Sequence, residues 1–322
     1  MRAIRVQKSG GPESMHLEEV APDSVGSGQV RIRLEACGVN FIDIYQRSGF
    51  YPVSLPFTPG LEGAGHVSEV AADVTDFKVG DAVAFAQVAG AYAEEIVAPA
   101  KSIVKIPAHL TSEIAAASML QGMTAHYLAC STFELKAGSK CLIHAAAGGV
   151  GLLLTQIAKL KGAQVFATVS NPEKAAAAKA AGADHVIDYS KVKFEDAIAE
   201  LTSGKKVDVV YDSVGKSTYL GSLKSLAPRG MLVSFGQSSG PVEAFNPLLL
   251  SQNGSLFLTR PTLGHYTATR EEFEWRAREL FTWITEKQLK ITIGGRYPLA
   301  QAPEAHGDLE ARRTSGKLLL LP

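Results

Sequence analysis

The sequence predicts an α/β protein in which a doubly wound parallel sheet is joined to a β-rich domain. Three observations support this prediction. Residues 1–115 are rich in Val, Gly and Pro and contain short alternating apolar runs, a pattern of strands. Residues 111–262 alternate continuous apolar strands with helices, which is typical of a parallel sheet covered on both faces. A glycine-rich turn joins the first strand of this second region to its helix. A length of 322 residues corresponds to about two domains.

The first region is predicted to contain five strands and little helix. Apolar and polar residues alternate between turn sequences that are rich in Gly and Pro. The turns lie at 10–12, 27–28, 58–60 and 79–81, and the strands at 1–7, 29–36, 65–70, 82–86 and 91–97.

The second region is predicted to contain six strands separated mostly by helices. The strands lie at 140–144, 164–169, 185–188, 207–212, 230–235 and 255–259, and the helices at 150–161, 173–181, 194–202 and 218–226. Asn171 and Pro172 supply an N-cap and an early helical proline for the second of these helices. Six strands in this order fit the doubly wound architecture that binds dinucleotides.

The C-terminal tail is predicted to return to the first domain, because the six-stranded sheet is already complete. An amphipathic helix covers 270–287, and strands are predicted at 289–293 and 317–321. The domain boundaries that follow are 1–120, completed by 265–322, for the first domain and 121–264 for the second.

Composition excludes several classes of protein. Lys and Arg number 32, as do Asp and Glu, so the net charge is zero and nucleic-acid binding is not expected as the main role. The odd, widely spaced cysteines Cys37, Cys130 and Cys141 do not form a disulfide framework. The first residues lack the apolar core of a signal peptide, and no run is long enough for a membrane span. We therefore expect a cytoplasmic protein that is not bound to membranes.

The turn between the strand at 140–144 and its helix predicts a pyrophosphate site. Small residues allow the backbone to approach a phosphate, and a helix N-terminus supplies amide donors and a positive dipole. Ala146 stands where the first glycine of G-x-G-x-x-G would be, whereas Gly148 and Gly151 keep the rest. The residues predicted to bind the pyrophosphate are Ala147, Gly148, Gly149, Val150 and Gly151.

The end of the next strand predicts which nicotinamide cofactor is bound. An acid there would accept hydrogen bonds from a ribose 2′-hydroxyl and repel a 2′-phosphate, but the strand is followed by Ser170 and Asn171. Lys174 lies one helical turn later, and Tyr189 closes the neighbouring strand. A hydroxyl, a cation and a phenol suit a 2′-phosphate, so we expect NADPH. The alternative is that Lys174 is a solvated helix lysine and Tyr189 a surface aromatic.

Several motifs resemble the quinone oxidoreductase branch of the medium-chain dehydrogenase/reductase superfamily, which includes zeta-crystallin. They cover nearly the whole chain and lie at 38–45, 47–49, 59–65, 121–125, 145–151, 211–215, 233–236 and 259–261. The resemblance implies a GroES-like catalytic domain, a Rossmann domain, NADPH dependence, no metal and a homodimer.

The resemblance also implies roles for individual residues. Asn40 would lie beside the nicotinamide ribose, and Thr124 would contact the nicotinamide end. Arg313 belongs to a C-terminal segment that returns to the active site in the family. The residues that would flank the cofactor after later strands are Ser213, Phe235, Gly236, Thr259 and Arg260.

A zinc site is not expected. Zinc-dependent relatives need a Cys and a His with a third ligand, but Asn40 replaces the first Cys and Leu61 the His of Gly-His-Glu. No cysteine occurs between residues 112 and 125. Cys37 and His66 are better interpreted as packing residues, because two ligands do not make a site.

Without a metal, oxidation of an alcohol is difficult, whereas a quinone can accept a hydride with little help beyond positioning. The candidate catalytic residues are Asn40, Tyr45 and Tyr51. Tyr45 could donate a hydrogen bond to the acceptor oxygen, or both tyrosines could form an amphipathic wall. Asp43 is expected to be a cap or an ion-pair partner rather than an acid catalyst.

The leading hypothesis is an NADPH-dependent quinone oxidoreductase acting on a small molecule. Two alternatives remain. The first is an NADPH-dependent enone or enal reductase, and the second is an RNA-binding or structural role like that of zeta-crystallin.

Overall fold

The computed structural model describes all 322 residues, which form two compact units. Unit 1 consists of Met1–Met123 and Thr267–Pro322, and unit 2 consists of Thr124–Tyr266. None of the helices is both long and apolar enough to cross a bilayer.

The strands, in chain order, are β1 (Arg2–Val6), β2 (Met15–Glu19), β3 (Gln29–Val39), β4 (Glu62–Val70), β5 (Ala82–Ala86), β6 (Glu95–Pro99), β7 (Ile103–Lys105), β8 (Lys140–Ile143), β9 (Gln164–Val169), β10 (His185–Asp188), β11 (Val207–Asp212), β12 (Leu226–Ser234), β13 (Phe257–Thr259), β14 (Ile293–Pro298) and β15 (Lys317–Leu321). The α-helices are α1 (Phe41–Arg47), α2 (Ser112–Tyr127), α3 (Gly149–Leu160), α4 (Pro172–Ala180), α5 (Phe194–Leu201), α6 (Tyr219–Ser225), α7 (Leu248–Gln252), α8 (Leu263–Tyr266), α9 (Arg270–Thr285) and α10 (Ala302–Glu310). Short 3₁₀ turns lie at Pro12–Ser14, Ala100–Ser102 and Leu299–Gln301, and a π-turn lies at Leu128–Thr132.

Unit 1 is built on a seven-stranded sheet. Its order is β14-β15-β3-β4-β5-β7, and β6 pairs with β3 outside this path. The β14–β15 pair is parallel and the other pairs are antiparallel. Along β3 the side chains of Val30, Ile32 and Leu34 are buried, as the alternation in the sequence predicts. The tail strands β14 and β15 extend this sheet beside β3.

Unit 2 is the predicted doubly wound sheet. All six strands are parallel, in the order β10-β9-β8-β11-β12-β13. The order therefore reverses between β8 and β11, where such sheets bind ligands at the carboxyl ends of their strands. A core that includes Leu142, Phe166 and Val210 holds the sheet together.

Two predicted strands are wrong in position. The strand predicted at 91–97 begins only at Glu95, because residues 90–92 hydrogen-bond to Pro59 and Gly60 instead of joining the β3 ladder. The strand predicted at 289–293 begins at Ile293 and continues to Pro298. Leu289 is buried because it closes the C-terminal turn of α9, where its amide donates to the Trp283 carbonyl at 3.0 Å.

Candidate functional site

The turn after β8 is tightly held by its own backbone. The Gly148 amide donates to the Ala145 carbonyl at 2.9 Å, and the Ala146 amide donates to the Thr168 carbonyl of β9 at 3.1 Å. Ala145 lies in the left-handed region with φ 49°, a conformation that a non-glycine residue adopts only at a cost. The surrounding hydrogen bonds therefore fix a strained turn that aims the start of α3.

The N-terminus of α3 is open to an anion. Gly148 is the N-cap, no side chain caps the helix, and its first turn carries no acidic residue. The amides of Gly149, Val150 and Gly151 precede the first backbone hydrogen bond of the helix, which runs from Leu152 to Gly148 at 2.9 Å. A twelve-residue helix adds a positive end to these donors.

Gly151 allows α3 to lie directly against the turn. A Cβ atom at this position would lie 2.7 Å from the Ala146 Cα and 2.8 Å from its carbonyl carbon, and it would also overlap the Ala145 oxygen. Because the obstructing atoms are backbone atoms, they cannot rotate away. The close approach of α3 to the turn therefore requires a glycine at this position.

The residues predicted to hold a 2′-phosphate lie at the ends of neighbouring strands. Ser170 follows β9, and Tyr189 follows β10, whose residue Asp188 pairs with Val169. Lys174 lies in the first turn of α4, where its backbone amide donates to the Asn171 cap at 2.8 Å. The carboxylate of Asp188 is engaged within its own turn, since Ser190 donates to it at 2.6 Å and Lys191 pairs with it at 3.3 Å. No acidic residue stands where Ser170 does.

The later predicted cofactor residues lie at the same edge of the sheet. Gly236 lies just after β12 and packs against the residue that follows β11. A Cβ atom on Gly236 would lie 2.6 Å from the Ser213 oxygen. Thr259 ends β13 opposite Val233, and Arg260 donates to the Ser234 carbonyl at 2.8 Å. Phe235, the residue between Ser234 and Gly236, is joined to β11 by its amide, which donates to the Asp212 carbonyl at 2.9 Å. The structure thus collects these residues at the carboxyl ends of β11, β12 and β13.

A buried polar network supports this edge, and sequence reasoning assigned it no role. Asp212 accepts from the amides of Val214 and Gly215 at 2.8 Å and 3.0 Å, which shapes the loop after β11. His144 bridges Thr168 at 2.9 Å and Ser222 at 3.0 Å. Burial lowers the pKa of His144, so the ring stays neutral.

Two other predicted residues belong to different units. Thr124 is buried in α2, at the first position of unit 2. Arg313 follows α10 in unit 1, where its guanidinium pairs with Asp308 at 2.7 Å, and the side chain is largely exposed.

Asn40 follows β3 and caps α1 in unit 1. Its backbone amide donates to the Asp43 carboxylate at 2.8 Å, which confirms the expected capping role of Asp43. The Asn40 side-chain nitrogen donates to Glu62 at 2.9 Å and to the Gly38 carbonyl at 3.2 Å. Its oxygen accepts from the Lys317 ammonium at 2.7 Å, and Lys317 also pairs with Glu62.

Sequence reasoning gave Glu62 and Lys317 no role. Both side chains are almost fully excluded from solvent. Glu62 lies in the motif at 59–65 and Lys317 begins the apolar strand predicted at 317–321, but neither pattern indicates that the two side chains meet.

Asp43 is fully buried and receives hydrogen bonds on one oxygen only. Tyr92 donates to Oδ2 at 2.9 Å, the oxygen that Asn40 also uses, and Oδ1 has no partner. Burial raises the pKa of Asp43 from 3.8 to about 7, although the hydrogen bonds from Asn40 and Tyr92 act in the opposite direction. The carboxyl therefore keeps a proton in the folded chain at pH values where an exposed aspartate has lost it.

This shift predicts a pH dependence of stability. Between about pH 4 and about pH 7 the unfolded chain loses the Asp43 proton and the folded chain retains it, so stability falls as pH rises. Asp43→Asn cannot titrate and keeps an oxygen for Asn40 and Tyr92. We expect the free energy of unfolding of the wild type, relative to this variant, to fall by about 1.4 kcal/mol per pH unit across that window. Urea unfolding at several pH values measures this difference, and a constant difference would contradict the shift.

The two candidate tyrosines belong to an aromatic group around the end of α1. The rings of Tyr45 and Tyr51 meet edge to face at 5.2 Å. Phe50 lies 5.8 Å from Tyr45 and Phe41 lies 6.2 Å from it. The Phe50 ring is about half exposed. The group offers flat apolar surface next to the helix that Asn40 caps.

Comparison with known proteins identifies the family. Residues 26–108 match the family described as alcohol dehydrogenase GroES-like domain, and residues 149–283 match the one described as zinc-binding dehydrogenase. A quinone oxidoreductase of Pseudomonas aeruginosa is 49% identical over 323 residues, covering 100% of this chain and 99% of that protein. The chain belongs to the quinone oxidoreductase family. It is therefore an oxidoreductase of the medium-chain dehydrogenase/reductase superfamily, with the predicted GroES-like and Rossmann domains.

Two further members show the range of the quinone oxidoreductase family. The crystal structure of the Escherichia coli quinone oxidoreductase complexed with NADPH superimposes with a TM-score of 0.98 at 44% identity, over 100% of both chains. A 2-haloacrylate reductase of a Burkholderia species is 42% identical over 328 residues, covering 99% of this chain and 98% of that protein.

Zinc appears in the description of one matching family. The structure contains no group of three or more His, Cys, Asp or Glu side chains that could hold a metal ion. Cys37 is buried, burial raises the pKa of its thiol, and its sulfur donates to the Ala91 carbonyl at 2.7 Å. His66 is exposed and pairs with Glu35 at 3.2 Å.

Proposed function

We propose that this chain reduces a quinone by transferring a hydride from NADPH, without a resident metal. The observation that carries the proposal is the turn after β8, where the uncapped N-terminus of α3 and the close approach at Gly151 suit a pyrophosphate cradle. Full-length similarity to quinone oxidoreductases supports the acceptor class.

The residues of the chain fit NADPH. Three amides at the start of α3 would bind the pyrophosphate, and the absence of acid in that turn avoids repulsion. Ser170, Lys174 and Tyr189 would hold the 2′-phosphate, because they surround the ends of β9 and β10. The structure of the Escherichia coli relative, complexed with NADPH, supports this choice of cofactor.

The proposed reaction requires the protein mainly to orient NADPH and the quinone. Bound NADPH supplies two electrons and one hydrogen as a hydride, and a proton from solvent completes the hydroquinone. The acceptor delocalises the incoming charge onto its own oxygen. The chain then has to orient the two reactants, and the aromatic group of Tyr45, Tyr51 and Phe50 suits the flat face of a quinone.

Asn40 can act only as a hydrogen-bond acceptor toward a ligand. Both hydrogens of its amide are used by Glu62 and Gly38, and one lone pair of its oxygen is used by Lys317. The remaining lone pair can accept from a ribose hydroxyl but cannot polarise a carbonyl oxygen. This supports the proposed role of Asn40 beside the nicotinamide ribose rather than at the acceptor oxygen.

Lys174→Ala should weaken NADPH binding by about 1–3 kcal/mol and leave NADH binding unchanged, because only the 2′-phosphate needs the charge-assisted hydrogen bond. Fluorescence titration of both cofactors measures the change. Lys179→Ala removes the same charge from the last turn of α4 and is the matched control, with no expected effect on either cofactor. Equal weakening of NADPH and NADH in Lys174→Ala would place Lys174 away from the 2′-phosphate.

The proposed function is tested by following NADPH oxidation with a panel of acceptors. We expect turnover with 1,2- or 1,4-quinones and none in the reverse direction with simple alcohols and NADP⁺. No quinone turnover by folded protein that binds NADPH would overturn the proposal.

A second candidate function is reduction of α,β-unsaturated carbonyl compounds. The 42% identical 2-haloacrylate reductase supports it, since a haloacrylate is an electron-poor alkene that accepts a hydride at carbon. Turnover of enones or 2-haloacrylate, with quinones inert, would favour this function. The proposed cofactor and orienting residues are the same for both.

We also propose a homodimer and a cytoplasmic location. The outer edge of β13 is unpaired in the unit 2 sheet, and Phe257 and Leu258 are exposed on that strand. An apolar sheet edge favours pairing with a second copy. Sedimentation of the purified protein should then give twice the chain mass of 34.1 kDa.

A further inference from the structure

Ala145, the strained residue at the start of the turn after β8, lies between two residues that both bind Thr168 of β9. The backbone of Ala145 is left-handed, with φ 49°. On one side of it, the His144 Nδ1 lies 2.9 Å from the Thr168 hydroxyl. On the other side, the Ala146 amide donates to the Thr168 carbonyl at 3.1 Å. Thr168 therefore brackets Ala145 through its side chain and its backbone, and we call these two bonds the Thr168 clamp.

The imidazole of His144 is held on all sides within unit 2. Its Nε2 lies 3.0 Å from the Ser222 hydroxyl of α6, and the Phe194 ring of α5 meets it edge to face at 4.7 Å. The His144 amide donates to the Tyr211 carbonyl of β11 at 3.1 Å. Only 1% of His144 is exposed, so water does not replace a lost partner. The ring is therefore a fixed point against which the Thr168 hydroxyl can hold the turn.

The partners of the ring determine which groups donate. The Ser222 hydroxyl has one hydrogen, but it faces two groups that only accept, the Thr218 carbonyl at 3.0 Å and the Asp212 carboxylate at 3.1 Å. The His144 Nε2 must therefore carry a hydrogen toward Ser222, and the Nδ1 of the neutral ring is left as an acceptor. The Thr168 hydroxyl then donates to that Nδ1.

The turn needs a clamp because Ala145 is an alanine. The left-handed region costs an L residue free energy, whereas glycine adopts positive φ about as readily as negative φ. A residue keeps such a conformation only when its surroundings hold it there. If Ala145 left this region, its carbonyl would move away from the Gly148 amide, which donates to it at 2.9 Å, and Gly148 is the N-cap of α3.

We propose that Thr168 and His144 are positioning residues that hold Ala145 in the left-handed region and so keep the first amides of α3 arranged for the pyrophosphate of the cofactor. The inference rests on the proposed NADPH function. Both side chains act through the turn and not by touching the ligand. Their loss should therefore matter only while residue 145 is strained.

A double-mutant cycle with an unstrained turn tests this dependence. NADPH is titrated by fluorescence, without an acceptor, into the wild type, Thr168→Val, Ala145→Gly and the double variant. Valine has the shape of threonine but lacks the hydroxyl. We expect Thr168→Val to weaken NADPH about 5- to 30-fold when residue 145 is alanine and less than about 2-fold when it is glycine. Equal losses in both backgrounds, or no loss in folded Thr168→Val, would overturn the proposal.

Two further measurements separate positioning from general damage. Thr168→Ser keeps the hydroxyl, so its NADPH affinity should fall less than about 2-fold. In the protein without cofactor, amide hydrogen exchange of the peptide that spans residues 144–152 should be about 5- to 30-fold faster in Thr168→Val than in the wild type or Thr168→Ser. An equal loss of affinity in Thr168→Ser and Thr168→Val, or unchanged exchange in Thr168→Val, would contradict the clamp.

A second variant covers the case in which Thr168→Val does not fold. His144→Gln keeps a donor for Ser222 at the position of Nε2 but has no acceptor at the position of Nδ1, and it replaces Thr168→Val in the same cycle. The proposed function fails, and the inference with it, if the folded wild type does not bind NADPH. If NADPH binds and quinones are reduced but the cycle is additive, only the positioning role fails.

Discussion

Replacement of Gly151 by valine is expected to abolish NADPH binding and lower quinone turnover by at least about 1,000-fold. A Cβ atom alone would lie 2.7 Å from the Ala146 Cα, and the branched side chain of valine extends further into the turn. Either α3 moves away from the turn or the turn opens. Both changes displace the amides that would bind the pyrophosphate.

Turnover, NADPH titration and thermal unfolding together distinguish loss of the cradle from loss of the fold. Overpacking against backbone costs about 1–3 kcal/mol or more, so the melting temperature of Gly151→Val should also fall. Gly307→Val is the matched control, because a Cβ atom at this helical glycine of α10 meets nothing within 4 Å. Normal NADPH affinity in folded Gly151→Val would exclude the turn after β8 as the cofactor cradle.

The sequence predicts the sheet of unit 2 well because each strand is a continuous apolar run between turn residues. The bounds predicted for β9, β10 and β11 are those of the structure. Helix α2 was not predicted, because the consecutive residues 115–119 are all buried, so the helix is buried on every side and no amphipathic period appears. The strand predicted at 289–293 starts too early, because the sequence does not distinguish a buried leucine that closes a helix, such as Leu289, from a leucine in a strand.

Part of the candidate site could be predicted from the sequence and part could not. The residues of the cradle are consecutive, so their pattern is visible in one segment. Glu62 and Lys317 each look like a surface charge beside an apolar strand, and only the pairing of β15 with β3 makes them partners of Asn40. The sequence does not show that Glu62 and Lys317 lie close to Asn40, because the amphipathic pattern of a strand does not show which strand lies next to it.

The Glu62–Lys317 pair should be among the most sensitive positions for stability in unit 1. Glu62→Gln keeps the shape of the side chain and an oxygen acceptor for Asn40, but it leaves the buried Lys317 ammonium without its counter-ion. Breaking one partner of a buried pair costs about 3–5 kcal/mol, because the other charge remains desolvated. We expect a loss of this size in the free energy of unfolding, measured by urea titration.

Two controls separate charge from shape. Lys317→Met added to Glu62→Gln removes the uncompensated charge and should restore most of the lost stability, since neutral replacements of buried pairs are often tolerated. Glu113→Gln breaks an exposed pair with Arg296 at 2.7 Å and should cost less than about 1 kcal/mol. If the double variant is as unstable as Glu62→Gln, the loss comes from packing and the ion pair is not its source.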